Sequence, residues 1–164
     1  MLVERPIKKG DFIDAGGVLG TVDDIGLRAT RVISRDGVAV ILPNSHLMSS
    51  VVINYSAPTS ERRFYIDFGV AYSSNLDLVV KVALEVAAAE PRVLATPGAE
   101  VRHQGFGDNA INLSLIVWIA EAREDLIVGS SLRFALDRAF RANGISIPFP
   151  QRDVHMISRT APPS

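Results

Sequence analysis

Hydrophobic and polar positions alternate in short stretches over the first 57 residues. Runs rich in Val, Ile and Thr, separated by glycine-containing turns, predict five short strands. Asp36-Gly37 lies between two β-branched runs, which favours a hairpin because both residues tolerate a positive φ. Pro43 ends the fourth strand, and Asn44 is a candidate cap for a single helical turn before the fifth. Short, strongly bent strands in this number predict a small β-barrel.

Strands and helices alternate after a candidate linker at residues 57–60, which read APTS. Residues 63–70 place Phe64, Ile66 and Phe68 on one face at a period of two, so they predict a strand. An apolar stripe at helical spacing then predicts a helix between Asn75 and Pro91.

A second helix is predicted over residues 125–142, where Leu132, Leu136 and Phe140 belong to one apolar stripe. Before it, residues 100–104 and 111–119 predict two strands of a hairpin. After it, residues 145–149 predict a last strand, which two prolines confine to a sheet edge. The resulting order, β-α-β-β-α-β, is that of a ferredoxin-like unit.

A strand-like segment follows without an obvious partner in its own chain. It consists of Val154, His155, Met156 and Ile157. Because an isolated strand is unstable in water, this segment is either disordered or paired with another chain.

Composition narrows the possible classes of protein. The chain has 164 residues, of which 48% are hydrophobic and 21% charged, so one large or two small packed domains are expected. The mean hydropathy of +0.22 is high for a small monomer and has two explanations, an alanine- and valine-rich core or a surface buried against other subunits. The net charge of −1 shows no basic surplus of the kind that nucleic-acid binders carry.

No pattern in the chain predicts catalysis, a cofactor or a metal. There are no cysteines, and His46, His103 and His155 lie in separate elements without paired ligand spacing. Residues 105–107 read GFG, but strands flank them on both sides, so they predict a turn rather than a dinucleotide site. The longest apolar run, at residues 115–120, is far shorter than the roughly 20 residues that a membrane helix needs.

Four motifs, in this order along the chain, resemble one known family. Residues 5–13 read RPIKKGDFI, residues 16–22 read GGVLGTV, residues 42–44 read LPN and residues 145–151 read ISIPFPQ. Together they are similar to the segment that follows the pore helix in small-conductance mechanosensitive channels, the MscS family. The pore-lining part of that family has no counterpart in the chain, so the resemblance is to the water-soluble part of such a channel.

The resemblance implies an α+β fold of three successive parts. Residues 1–57 would form an Sm-like five-stranded β domain, residues 58–151 a ferredoxin-like βαββαβ domain, and residues 152–164 a short C-terminal strand and tail. In the family, homo-oligomeric rings, heptamers in the best-known cases, enclose a cytoplasmic cage with portals through which ions and small solutes reach the pore.

The same resemblance assigns sites and a location. Val154, His155, Met156 and Ile157 would form the oligomerisation strand, and Arg5, Lys8 and Lys9 would lie beside membrane lipid. The location expected is the cytoplasmic face of a bacterial inner membrane, with no enzyme activity, no cofactor and no nucleic acid bound. The alternative is an RNA-binding module, because Sm-like rings and ferredoxin-like folds also bind RNA.

Overall fold

The computed structural model of the chain describes residues 7–150, 152 and 154. The strands are β1 (Phe12–Ala15), β2 (Val18–Ile25), β3 (Ala29–Ser34), β4 (Ala39–Pro43), β5 (Val52–Asn54), β6 (Arg62–Val70), β7 (Glu100–Phe106) and β8 (Ile111–Ile119). The helices are α1 (Asn44–Ser49), α2 (Leu76–Ala89) and α3 (Asp125–Ala142), with a 3₁₀ turn at Ala122–Glu124 before α3. The predicted mixture of helices and antiparallel sheets is therefore confirmed.

Strands β1 to β5 form one antiparallel sheet in the order β4-β3-β2-β1-β5, and with α1 they are called the β part below. Strands β1 to β4 follow one another as hairpins, and β5 returns to pair with β1, opposite Ile13 and its neighbours. The inner face of this sheet has its own apolar core, which consists of Ile13, Ala15, Val22, Val32 and Leu42.

Glycines make the tight turns and one close strand approach in the β part. Gly10, Gly17 and Gly37 have positive φ values of 93°, 90° and 77°, a backbone conformation that residues with a side chain rarely adopt. Gly20 has no positive φ, but a Cβ there would lie only 2.8 Å from the carbonyl carbon of Ile33. Gly20 is therefore required by the close approach of β2 and β3.

Asn44 does not cap α1 as predicted. The residue before the helix is Pro43, and no side chain caps it. The amide of Asn44 instead donates to the carbonyl oxygens of Gly26 and Leu27 at 3.0 and 3.2 Å, and its Oδ1 accepts a hydrogen bond from Thr30 Oγ1 at 2.9 Å. The side chain thus fastens the β2–β3 turn, since that turn offers it more partners than the one-turn helix does.

Strands β6, β8 and β7 form a second antiparallel sheet in that order, and with α2 and α3 they are called the α/β part. The side chain of Asn75 accepts hydrogen bonds from the amides of Asp77 and Leu78, so it caps α2. Helices α2 and α3 cover one face of the sheet. The core between them includes Ile66, Val79, Ala83, Leu115, Val117, Leu132, Leu136 and Phe140.

The prediction that residues 145–149 form the last strand of the α/β part is wrong. These residues form no strand, although the amide of Ala71 donates to the carbonyl of Ser146 at 2.9 Å just beyond the end of β6. Pro148 and Pro150 have no amide hydrogen, so this segment lacks the donors that a ladder along β6 needs.

No helix within the described part of the chain is both long and apolar enough to cross a membrane.

Candidate assembly surfaces

The outer face of the β part is apolar along its edge strand β4. Neighbouring strand residues point to opposite faces, so the buried Leu42 places Ile41 on the outside, where it is 60% exposed. Val38 at one end of β4, and Leu27 in the turn near its other end, are also exposed. Single exposed apolar residues are ordinary, but a row of them along an unpaired strand edge is typical of a surface that another chain covers.

Helix α3 carries a second exposed apolar stripe. Its buried side holds Leu132, Leu136 and Phe140, whereas Leu126, Ile127 and Phe134 lie in solvent, with Phe134 65% exposed. A helix that is apolar on two sides needs a partner on each of them. The sequence contained this signal, because these three residues lie outside the stripe that predicted the helix.

A third exposed cluster is aromatic and lies at the β7–β8 hairpin. The ring of Phe106 stacks on Tyr72, with centroids 6.4 Å apart, and meets the edge of His103 at 4.6 Å. The hydroxyl of Tyr72 donates to the carbonyl oxygen of Gly107 at 2.6 Å, which fixes the ring. Phe106 is nevertheless 76% exposed. Sequence reasoning treated residues 105–109 only as a connection and missed this cluster.

Two of the three predicted membrane-proximal residues, Lys8 and Lys9, lie in the turn that leads into β1. Lys8 and Lys9 are both exposed there, and Arg5 lies outside the described residues. The Lys8 amide donates to Asp11 Oδ2 at 2.9 Å, and the Gly10 amide donates to the carbonyl of Val22 at 2.8 Å. These bonds hold the turn against the sheet, so the backbone that carries the two lysines is fixed.

Of the predicted oligomerisation residues, Val154 alone is described, and it is 78% exposed. His155, Met156 and Ile157 lie outside the described residues. The pairing of this segment therefore stays a prediction.

Glu90 is the ionisable side chain that ties α2 to α3. It is largely buried and accepts hydrogen bonds from Arg92 Nε at 2.7 Å and from Ser131 Oγ at 2.6 Å. The hydrogen bond from Arg92, aided by that from Ser131, holds the pKa of the Glu90 carboxyl below its ordinary value, although burial acts in the opposite direction. The bond from Ser131 joins the end of α2 to α3, and the bond from Arg92, two residues further along the chain, engages the other carboxylate oxygen locally.

The described residues contain no group of three or more His, Cys, Asp or Glu side chains arranged to hold a metal ion. His46 packs over Gly16, while His103 lies in the aromatic cluster of the other part. The three exposed apolar surfaces described above suit association with another chain.

Two family models match the chain, one after the other. Residues 1–57 match the mechanosensitive ion channel beta-domain, and residues 64–147 match the C-terminal region of the mechanosensitive ion channel MscS. The second match covers more than half of the chain.

Individual relatives agree with these models. The chain is 33% identical to the small-conductance mechanosensitive channel of Edwardsiella ictaluri over 156 residues, which are 95% of this chain and 54% of that protein. It is 36% identical to the mechanosensitive channel MscK of Escherichia coli, again over 95% of this chain but over 14% of MscK. The chain thus spans about half or less of the length of these curated relatives.

Solved structures resemble the chain over the same range. The crystal structure of Helicobacter pylori MscS in its closed state superposes with a TM-score of 0.85 at 29% identity, over 96% of this chain and 62% of that one. The cryo-EM structure of Arabidopsis thaliana MSL1 gives a TM-score of 0.66 at 20% identity, over 87% of this chain and 53% of that one, which shows a shared fold.

Proposed function

Because this chain belongs to the MscS family of mechanosensitive ion channels, we propose that it forms the cytoplasmic vestibule of such a channel. The vestibule is a homo-oligomeric ring below the membrane pore, with portals for ions and small solutes. The observation that carries this proposal is the superposition on the Helicobacter pylori MscS structure over 96% of the chain, in the same order as the two family models. We propose that the pore of this channel lies in the bacterial inner membrane and that the vestibule lies on its cytoplasmic face.

The proposal includes a finer reading of the fold. Residues 1–57, which include the β part, are an Sm-like β domain, and residues 58–151 are a ferredoxin-like domain in which the segment 145–149 takes the place of the fourth strand. Residues 152–164 are the terminal strand and tail. The separate apolar cores of the two sheets support this division.

Ring assembly explains the exposed apolar surfaces. The five-stranded sheet is open, with β4 and β5 at its two edges. In a ring, the β4 edge of one subunit, with Ile41 exposed, faces the next subunit, and each edge is covered. The α3 stripe and the aromatic cluster meet neighbouring copies in the same way.

The predicted sites keep their proposed roles. The segment from Val154 to Ile157 pairs with the same segment of the other subunits, because rotational symmetry brings identical strands together in parallel. Lys8 and Lys9, with Arg5, lie at the lipid surface, where anionic headgroups attract basic residues.

The alternative function, RNA binding, has no support from the family, since both matched models describe ion-channel domains. The family is one of channels rather than enzymes, and we propose that this chain has no catalytic activity and needs no cofactor. Salt-dependent binding of RNA would revive the alternative.

Light scattering coupled to size exclusion tests the proposed ring on this chain. A heptamer has a mass of about 124 kDa, seven times the 17.7 kDa of one chain. A variant with Ile41→Glu and Phe134→Glu places charges on two exposed apolar surfaces and should lower the mass. Its control, with Lys81→Glu and Arg28→Glu, changes exposed charged positions and should keep the ring. A monomer at every concentration of the unmodified chain would refute the assembly.

A further inference from the structure

One carboxylate joins the β part to the α/β part. Asp125, the first residue of α3, is 8% exposed, and its two oxygens have different partners. Oδ1 accepts a hydrogen bond from Arg35 Nη2 at 2.7 Å, and Oδ2 accepts one from Arg62 Nη1 at 2.8 Å. Arg35 lies in the β3–β4 turn and Arg62 begins β6, so Asp125 is held from both parts at once.

Each of the two guanidinium groups also lies on an aromatic ring of the β part. Arg35 stands 5.1 Å from the ring centroid of Phe12, and Arg62 stands 4.8 Å from that of Tyr55. The two rings contact each other, with centroids 5.8 Å apart. Planar guanidinium groups combine stacking with directed hydrogen bonds to a carboxylate, so the five side chains fix one another in orientation.

Asp125 is the most buried of the three charged groups, with its side chain 11% exposed against 23% for Arg35 and 34% for Arg62. Losing an arginine would leave this buried carboxylate with fewer partners, which is unfavourable. The Nε of Arg35 is itself buried without a hydrogen-bond partner among the described residues, so the bond from Nη2 to Asp125 is important for balancing the guanidinium charge. The connection between the parts, by contrast, is a short irregular segment between β5 and β6.

We propose that Asp125 is a positioning residue that locks the β part and the α/β part into a single orientation. Without its carboxylate the two parts pivot about residues 57–59, because residues 55 and 56 are hydrogen-bonded to β1 and Ser60 to Ala122, and each part keeps its own core. In a channel, this lock makes the vestibule wall and the membrane-proximal sheet move as one body. The inference concerns the two parts of one chain, so it does not depend on ring assembly.

The chain contains no cysteine, which permits a direct distance measurement. Exposed Arg28 of the β part and exposed Lys81 of α2 are replaced by cysteine and spin-labelled. Labelled chain is mixed with an excess of unlabelled chain, so that distances within one chain dominate. Pulsed electron paramagnetic resonance then gives the distribution of distances between the two parts.

Asp125→Asn is the decisive variant, and Asp137→Asn is its matched control. Both change a carboxylate of α3 to an amide, but Asp137 forms an exposed pair with Arg141 within the helix. We expect Asp125→Asn to broaden the distance distribution. We also expect it to raise the hydrogen-exchange rate of the Ala122 amide by about tenfold, because this amide donates to the Ser60 carbonyl at the junction of the two parts. Asp137→Asn should leave both unchanged.

Circular dichroism verifies that each variant is folded. If Asp125→Asn does not fold, the Arg35→Gln variant tests the proposal instead. It removes the ion pair between Asp125 and the β part but leaves the hydrogen bond between Asp125 and Arg62 in place. A distribution as narrow in the folded Asp125→Asn or Arg35→Gln variant as in the unmodified chain would overturn the proposal. So would equal broadening by Asp137→Asn.

Discussion

Replacing Gly20 by alanine tests how tightly β2 and β3 approach each other. A methyl group at this position would lie 2.8 Å from the carbonyl carbon of Ile33 and 2.8 Å from Cγ1 of Val32, with the carbonyl oxygen of Ile33 nearer still. The Val32 methyl belongs to a side chain in the core of the β part, and the Ile33 atoms belong to the backbone. Backbone atoms cannot rotate away, so relief requires β3 to move from β2.

The magnitude follows from two opposing effects. Overpacking an interior costs about 1–3 kcal/mol. Alanine in place of glycine in a strand regains roughly 0.5–1 kcal/mol of backbone entropy. Because the closest atoms are backbone and Gly20 pairs directly with Ser34 in the ladder, we expect the upper part of the first range, hence a net loss of about 2 kcal/mol of unfolding free energy.

Urea unfolding at one fixed protein concentration measures this loss. The far-ultraviolet circular dichroism follows both parts, and the single tryptophan, Trp118 on β8, follows the α/β part. Gly20→Ala should move part of the circular dichroism transition to lower urea and leave the fluorescence transition in place.

Gly98→Ala is the control for this experiment. Its nearest atom would be the Ala95 carbonyl oxygen at 3.8 Å, and its φ is not positive, so the change should be neutral or stabilising by up to about 1 kcal/mol. Equal stability of Gly20→Ala and the unmodified chain would refute the argument from close approach. An equal shift in Trp118 fluorescence would show that the two parts unfold as one cooperative unit.

Three further changes have expected outcomes. The Glu90→Gln variant should be less stable than the unmodified chain at pH 7, because Arg92 lowers the pKa of Glu90 in the folded state. This difference in stability should persist above the ordinary pKa of 4.5 and vanish as the pH falls through the lowered pKa, which thermal unfolding across pH would show. The Phe140→Ala variant leaves a cavity in the core of the α/β part and should lower the free energy of unfolding by about 3–5 kcal/mol, measured by urea unfolding followed by tryptophan fluorescence. A loss of unfolding free energy below about 1 kcal/mol would contradict the packing described. Replacing Lys8 and Lys9 by Gln should weaken binding to vesicles containing phosphatidylserine by roughly 1 kcal/mol per lysine in a sedimentation assay, and should leave binding to neutral vesicles unchanged. Unchanged binding to the anionic vesicles would contradict the proposal that these residues lie at the lipid surface.

Local patterns predicted the elements that local forces determine. Helix α3 spans Asp125–Ala142, as its stripe indicated, and Gly144 just beyond it has a positive φ of 66°. Strand β8 is likewise found at Ile111–Ile119. In these elements periodicity, turn residues and burial all favour one structure, so the sequence was sufficient.

Features that depend on distant residues could not be read from local patterns. Asn44 was a plausible cap until the turn around Gly26 supplied its amide with better partners. The pairing of Arg35 with Asp125 joins residues 90 positions apart, and nothing near either residue indicates the other. The exposed aromatic cluster depends in the same way on Tyr72 meeting a hairpin far along the chain. The family resemblance supplied what local patterns could not, namely a reason for surfaces that one chain leaves uncovered.

The order of pairing in the two sheets has a consequence for folding during synthesis. In the β part β2, β3 and β4 each pair with the strand immediately before them, and the last pairing, between β5 and β1, is available once residue 54 has left the ribosome. In the α/β part β6 waits for β8, so its central pairing needs the chain out to residue 119. Hairpin contacts between neighbours form faster than pairings across long loops. The β part is therefore able to complete its fold while the helices and strands that will join it are still being made, and Arg35 is in place before Asp125 is synthesised.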